Sequence, residues 1–158
     1  MATAIATKGN AATDELQIVI FDLAGETYGA DIQAVQAIVR MQQITRIPQA
    51  PPAVEGVINL RGKVDPVMDL RKRFGLNATE ETKDSRIVIV NIGDQDVGLI
   101  VDAVAEVTRI PLDSIEPPSD VVSTVETDYI SGIAKFEDRM IILLDLDKVM
   151  AGTKLDRG

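Results

Sequence analysis

The sequence contains no cysteine, no histidine and no tryptophan, and aromatic residues make up only 3% of its 158 residues. Without cysteine there is no disulfide framework and no thiolate nucleophile. Without histidine the chain lacks the commonest general base and the commonest metal ligand. We therefore expect no metal site and no cofactor, and a core built from Val, Ile and Leu with methionine as filler.

Long apolar runs are also missing. No segment approaches the roughly 20 apolar residues of a membrane helix, and the first 15 residues lack the apolar stretch of a secretory signal. We expect a cytoplasmic protein that does not insert into the membrane. The formal net charge of −9 disfavours nucleic acids and anionic lipids as partners. Other proteins are the partners that this charge favours.

What the chain does contain is one pattern written twice. Residues 17–41 align without gaps with residues 86–110, and residues 56–74 align with residues 132–150. Such a duplication predicts two similar units related by a pseudo-twofold axis. A unit of about 70 residues is marginal alone, so we expect the two units to share apolar surface.

Local patterns predict mostly short β-strands. In the first half, strands are expected at 16–23, 28–32, 57–60 and 64–68, followed by a short helix from 70 to 74. The second half repeats this order, with strands at 86–92, 97–101, 133–136 and 140–144 and a short helix at 146–150. Such spacing favours a mostly β fold of two small five-stranded barrels with short helices.

The expected domain boundaries follow from composition. Residues 1–14, rich in Ala and Thr, are expected to form a disordered arm. The polar segment 77–84 separates a first barrel subdomain, 15–82, from a second one, 83–150. Residues 151–158 form a C-terminal tail.

The repeat aligns Asp69 with Asp145, which leaves two interpretations open. Two related carboxylates could act as the acid–base dyad of a hydrolase. Alternatively, each Asp precedes a short helix and caps its N-terminus. The residues that follow, Leu-Arg and Leu-Asp, do not provide the small residue and glycine that substrate would need. Capping is therefore favoured, and the chain is expected to have no catalytic residues.

Two further features have both a structural and a functional interpretation. The apolar residues Val35, Ile38, Val104 and Val107 are related by the repeat; they form shared core, or an exposed groove that binds a partner's helix. Arg61 lies in a tight turn, where it is solvated or offers its donors to a partner.

These motifs resemble the CheW family, the coupling proteins of bacterial chemotaxis, over residues 16–150. The resemblance rests on GVINLRG at 56–62, PVMDLR at 66–71 and Phe74-Gly75, with further matches around Tyr28-Gly29 and from Gly98 to Val104. It implies two SH3-like five-stranded β-barrels on a shared apolar core. It also implies a non-enzymatic adaptor, monomeric when free, that bridges chemoreceptors (the methyl-accepting chemotaxis proteins) to the regulatory domain of the histidine kinase CheA.

The resemblance also implies three sets of contact residues. The receptor-facing groove, which would hold the tip of a helical hairpin, comprises Ile32, Val35, Ile38, Arg61, Val97, Gly98, Val104 and Val107. The first kinase contact comprises Ile44, Thr45, Arg46, Ile47, Glu55 and Val57. The second, ring-closing contact comprises Ile115, Glu116, Asp120 and Val121.

Three residues depart from the family pattern. Many relatives carry a Glu at the position of Ala37, which is thought to pair with the arginine; Arg61 is here expected to be free or paired with Glu55. Asp65 stands at a position that is usually apolar. Val121 stands where some relatives have Phe, so we expect a weak ring-closing contact.

Overall fold

The computed structural model describes residues 14–77, 79–118 and 127–151. Of the expected N-terminal arm only Asp14 is among them, and of the expected tail only Ala151. Asp120 and Val121 lie outside the described residues.

The described residues form eleven strands and two short α-helices. The first half contains β1 (Glu15–Leu23), β2 (Glu26–Asp31), β3 (Val35–Arg40), β4 (Val54–Leu60), β5 (Lys63–Asp69) and α1 (Leu70–Arg73). The second half contains β6 (Arg86–Ile92), β7 (Gln95–Val101), β8 (Ala103–Pro111), β9 (Ile115–Glu116), β10 (Ile130–Phe136), β11 (Arg139–Leu144) and α2 (Leu146–Met150). Three 3₁₀ turns, Ile32–Ala34, Leu112–Ser114 and Thr127–Tyr129, connect strands. The predicted hairpins and both predicted helices are confirmed.

The strands form two sheets, and each sheet combines strands from both halves of the sequence. One sheet has the order β8-β1-β2-β11-β10-β9 and the other has the order β3-β6-β7-β5-β4. We call them sheet A and sheet B. The first hairpin of each half thus lies in a sheet whose other strands come from the opposite half. Two parallel pairings join them, β2 with β11 and β5 with β7.

This exchange corrects the predicted division of the chain at residues 82 and 83. The two sheets are the units of the fold, but neither is a continuous stretch of sequence. The apolar pattern could not show this, because the apolar residues of a hairpin would be buried equally well in either sheet. The predicted mostly β class is confirmed, and two sheets of this composition are consistent with two SH3-like barrels.

The pseudo-twofold relation is visible in the register of the pairs. Val19 pairs with Val107 in sheet A, and their repeat equivalents, Val88 and Ile38, pair in sheet B. Both pairings carry a β-bulge at the same place. The repeat is thus preserved in backbone hydrogen bonds as well as in apolar residues.

Three apolar clusters stabilise the fold. The largest combines buried residues of both sheets with Leu70 and Phe74 from the first half and Val149 of α2. Smaller clusters fill sheet A around Ile18 and Ile141 and sheet B around Ile58 and Ile87. The largest cluster is the shared apolar surface that the short repeat length predicts.

Four of the five aromatic residues form one stack through this shared core. Ring centroids are 5.9 Å apart for Phe21–Tyr28, 6.0 Å for Tyr28–Phe74 and 5.2 Å for Phe74–Tyr129. The guanidinium carbon of Arg73 lies 5.1 Å from the centre of the Tyr129 ring, a cation–π distance. The stack joins a hairpin, the end of α1 and the 3₁₀ turn before β10.

Candidate functional site

The two aspartates that could have formed a dyad are helix caps. The Asp69 carboxylate accepts a hydrogen bond from the Arg71 backbone N–H at 2.9 Å, and the Asp145 carboxylate accepts one from Lys148 at 3.2 Å. Burial raises the pKa of Asp69. The capping interpretation is confirmed for both residues, and nothing in their surroundings favours hydrolysis.

The described residues offer neither a metal centre nor a membrane span. Among them, no group of three or more Asp and Glu side chains is arranged to hold a metal ion. Their helices are too short to cross a bilayer.

Repeat-related apolar residues on β3 and β8 are the first candidates for a binding surface. Val35 and Val104 pack against the shared core but keep part of their area accessible. Ile38 and Val107 are 38% and 47% exposed. We call these four residues the β3/β8 surface. The shared-core interpretation therefore holds for the inner pair, Val35 and Val104, whereas the outer pair faces solvent. Binding of a partner's helix by this set stays a prediction.

Val97 and Gly98 of β7 are buried, unlike the outer residues of the β3/β8 surface. Val97 is 1% exposed and belongs to the shared core. A Cβ atom built on Gly98 would lie 2.7 Å from Cγ2 of Ile87. Neither residue can offer a side chain to a partner, and their role is to pack the sheet beneath. Ile32, in the first 3₁₀ turn, is half-buried.

Arg61 is displayed at the tip of the β4–β5 hairpin. Its φ is 55° and that of Gly62 is 84°, and the Gly62 N–H donates to the Asn59 side-chain oxygen at 2.9 Å. The side chain of Arg61 has no ion-pair partner among the described residues. The predicted alternative, pairing with Glu55, is wrong because Glu55 pairs with Lys72 at 2.5 Å.

Lys63 connects the same hairpin to β7. Its Nζ lies 2.5 Å from the Asp96 carboxylate and 3.9 Å from that of Asp65. The hydrogen bond with Lys63 lowers the pKa of Asp96, whereas burial raises the pKa of Asp65. Asp65 is 4% exposed, and the nearby ammonium group partly offsets the cost of its burial.

The residues of the expected first kinase contact come together on one edge of sheet B. The backbone groups of Thr45 and Val57 exchange two hydrogen bonds of 2.9 Å. Gly56 permits this approach, since a Cβ there would lie 2.1 Å from the Thr45 carbonyl oxygen. Ile47 is 43% exposed. Arg46 is exposed, whereas Ile44 and Glu55 are half-buried.

The described part of the ring-closing contact occupies the equivalent place in sheet A. Residues of β9 pair with β10, Glu116 with Ile133 and Ile115 with Ala134. Ile133 is the repeat equivalent of Val57, so Glu116 stands where Thr45 stands in sheet B. The two expected kinase contacts therefore lie on repeat-related edges of the two sheets.

Sequence reasoning missed the connections made by α1. Arg71 binds Asp102 through two hydrogen bonds of 3.0 and 2.6 Å, and Asp102 also accepts from the Ala24 backbone N–H at 2.9 Å. Arg73 donates to the Val149 carbonyl oxygen at 2.6 Å. Arg71 and Asp102 both lie in the motifs that carry the family resemblance, so part of that signature is structural.

The fold, its capped helices and its exposed apolar edges thus define a binding module. The CheW-like domain family matches residues 17–154, and the chain belongs to this family. It is 34% identical to the chemotaxis protein CheW of Klebsiella aerogenes over 88% of this chain and 84% of that protein. It is 36% identical to CheW of Bacillus subtilis over 85% and 86% of the two chains.

A solved structure supports the same relationship. The scaffolding protein TtCheW from Thermoanaerobacter tengcongensis is 50% identical to this chain and superposes with a TM-score of 0.81. The match covers 87% of this chain and 94% of that one.

Proposed function

We propose that this protein is a non-enzymatic coupling adaptor of chemotaxis, which bridges chemoreceptor tips to the regulatory domain of the histidine kinase CheA. The observation that supports the proposal is a fold of the CheW family with partly exposed apolar residues on β3 and β8 and, separately, strand edges around Thr45 and Glu116. Relatives that cover most of the chain are named chemotaxis protein CheW or scaffolding protein.

The β3/β8 surface suits a helical partner. Exposed Ile38 and Val107 beside partly covered Val35 and Val104 form the kind of apolar strip that receives one face of a helix. Arg61 adds a cation that no described residue neutralises. A receptor hairpin docked here would be held by apolar contact and positioned by charge.

The strand edges suit a different partner. Ile47 projects from a segment that is fixed to β4 by two backbone hydrogen bonds, so its exposed side chain is held in a defined place. Contacts of this kind bury modest areas, and stability of a larger array would come from many linked weak contacts. In such an array the protein would be a cytoplasmic component recruited to membrane-bound receptors.

The test is reconstitution with a cognate kinase and a receptor cytoplasmic fragment. Receptor-dependent phosphorylation should require this protein. Arg61→Glu should weaken binding of the receptor fragment more than binding of the kinase, and Ile47→Asp should do the opposite. Met140→Asp is the matched control for Ile47, since Met140 is equally exposed at 44% and lies outside the expected contacts.

Circular dichroism must show that each variant keeps its strands. Receptor control of the kinase without this protein would contradict the proposal. So would equal losses of both partners in the two variants.

A further inference from the structure

Two cavities lie at repeat-related places in the fold, each beside the start of a short helix. Cavity A, beside α2, has a volume of about 370 Å³, and cavity B, beside α1, has a volume of about 150 Å³. Three pairs of lining residues are repeat equivalents, Asp31 with Ile100, Asp145 with Asp69 and Asp147 with Arg71, and two further pairs directly adjoin the aligned blocks, Leu16 with Ser85 and Ser131 with Glu55. The repeat thus produces the same cavity twice.

The chain that follows α1 turns back and lines cavity B. Thr79, Glu80 and Glu81, which come after that helix, border the cavity together with Asp69 and Arg71. Their repeat equivalents after α2 are residues 155–157, which lie outside the described residues. The repeat therefore points to cavity A as the place of the chain that follows α2.

Charge is exchanged between the two cavities, both on the helix and on the segment that follows it. At cavity B the helix presents Arg71, and the following segment contains Glu80 and Glu81. At cavity A the helix presents Asp147, and residues 154–157 hold two bases and one acid. Each helix is thus followed by a segment of the opposite charge.

Cavity A combines negative charge with apolar surface. Asp31, Asp145 and Asp147 line it, and none of the three forms an ion pair with a described residue. Its described lining includes no Lys or Arg. The half-buried apolar residues of the lining include Leu16, Ile92 and Leu146. Such a lining favours a segment that carries both basic and apolar side chains, as Lys154, Leu155 and Arg157 do.

The N-terminal residues are the competing occupant. Segment 79–81 also precedes β6, and in that sense it corresponds to residues 10–12 before β1. Those residues are Asn10, Ala11 and Ala12, and they carry no charge. The acidic lining therefore favours the C-terminal segment.

The C-terminal segment is long enough to reach cavity A. Arg73 donates a hydrogen bond of 2.5 Å to the carbonyl oxygen of Ala151, where the segment begins. Seven residues, 152–158, follow, and seven extended residues span about 23 Å. The helix that they must pass, α2, has five residues and is about 7.5 Å long.

We propose that residues 152–158 bind in cavity A, with Leu155 against its apolar lining and Lys154 and Arg157 beside its aspartates. The bound segment joins α2 to the 3₁₀ turn after β2 and to the β6–β7 turn of the other sheet. It gives α2 a polar connection comparable to the one that Arg71 and Asp102 give to α1. This inference does not depend on the proposed function.

Disulfide trapping in the full chain tests the placement, because the chain has no cysteine of its own. Leu155→Cys is combined with Ile92→Cys in cavity A. The matched control combines Leu155→Cys with Ile44→Cys, since Ile44 is a half-buried residue that lines cavity B. A disulfide requires Cα atoms within about 7 Å of each other. We expect the first pair to oxidise about tenfold faster than the control, as measured by mass spectrometry after the free thiols are blocked.

Charge reversal tests the attraction between the segment and the cavity. Asp147→Lys should slow trapping of the first pair about fivefold, and adding Arg157→Asp should restore most of the rate. Asp84→Lys, an exposed change outside the described lining of both cavities, is the control and should have no effect. High salt should also slow the trapping, because exposed ion pairs are screened.

Amide NMR gives a second measurement that needs no cysteine. Lys154→Glu combined with Arg157→Glu leaves the core residues unchanged. It should shift the amide signals of Leu16 and Asp31 in cavity A more than those of their equivalents in cavity B, Ser85 and Ile100.

Equal trapping rates for the two pairs, or equal NMR shifts at the two cavities, would overturn the inference. Faster trapping of Ala11→Cys with Ile92→Cys would also overturn it and assign cavity A to the N-terminal residues. A disulfide between two molecules would assign the cavity to the segment of a second copy instead. Each of these outcomes would leave the proposed function intact.

Discussion

The helices α1 and α2 occupy equivalent places in the two halves, but they are held in very different ways. Arg71, Lys72 and Arg73 of α1 connect that helix to Asp102, to Glu55 and to the end of α2. The residues of α2 form no ion pair with any described residue. The repeat thus preserves the course of the backbone. The ion pairs and long-range side-chain hydrogen bonds of the two helices, however, come from α1, in the first half.

The largest effect on the fold is expected when the two halves are produced as separate fragments. We expect fragments 1–80 and 81–158 each to be unfolded alone, because each sheet would lose either its central hairpin or the strands beside it, and an isolated hairpin is marginal. Mixed together, they should recover the native fold. Circular dichroism and amide NMR dispersion measure this, and cooperative melting of either fragment alone would contradict the exchanged topology.

Two glycines that are repeat equivalents, Gly56 and Gly132, should differ strongly in their tolerance of a side chain. Gly56→Ala would put a Cβ 2.1 Å from a backbone oxygen that cannot move, so we expect a loss of more than about 3 kcal/mol in the free energy of unfolding. At its equivalent, Gly132→Ala, the nearest atom is Cγ2 of Ile115 at 2.8 Å. That side chain can shift, and about 1 kcal/mol is expected. Urea unfolding compares them, and equal losses would refute this account.

The connection between Arg71 and Asp102 should matter more than its repeat equivalent. Asp102→Asn is expected to lower the free energy of unfolding by about 1–2 kcal/mol, because two charge-assisted hydrogen bonds are weakened. Gln33→Ala, at the equivalent position, should cost less than about 0.5 kcal/mol. Thermal unfolding of both variants at pH 7 is the measurement, and similar losses would show that α1 is no better anchored than α2.

The same pair predicts a pH dependence. Arg71 lowers the pKa of Asp102, so its contribution is present above the unfolded-state pKa and is lost as the pH falls through the lower native pKa. The deficit of Asp102→Asn relative to the unaltered protein should therefore narrow in acid. A constant deficit across that range would contradict the assignment.

The smallest expected effect concerns Asp65, whose repeat equivalent is the buried Ile141. Burial raises the pKa of Asp65, so the ionised form is unfavourable in the native state. Asp65→Leu should stabilise the protein by about 1 kcal/mol at neutral pH. The gain should shrink as the pH falls through the raised pKa, because the native carboxyl is then protonated. Asp65→Asn, with a smaller gain, is the control; a loss at neutral pH with Leu would show that the carboxylate is needed.

Much of the fold could be predicted from the sequence because its elements are local. Short runs rich in β-branched and other apolar residues predicted β1, β6 and β11, and Asp69 and Asp145 marked the starts of both helices. The exchange of hairpins could not be predicted, since Ile18 or Ile87 is equally apolar in either sheet. Which strand it pairs with depends on contacts distant in the chain.

The candidate site was predicted less completely. The exposure of Ile38, Val107 and Ile47 agrees with a surface role. The burial of Val97 could not be predicted, because the sequence does not distinguish an apolar strand residue on a buried face from one on an exposed face. The partner of Lys63 was also beyond prediction. It depends on the parallel pairing of β5 with β7, which brings Asp96 alongside.

The aromatic stack has a practical consequence for spectroscopy. The chain has two tyrosines and no tryptophan, and both tyrosines belong to that stack. The tyrosine fluorescence and the tyrosine bands of the near-ultraviolet dichroism of this protein therefore originate in the core shared by its two sheets. A ligand that shifts one sheet against the other would change these signals, so its binding could be followed without an added dye.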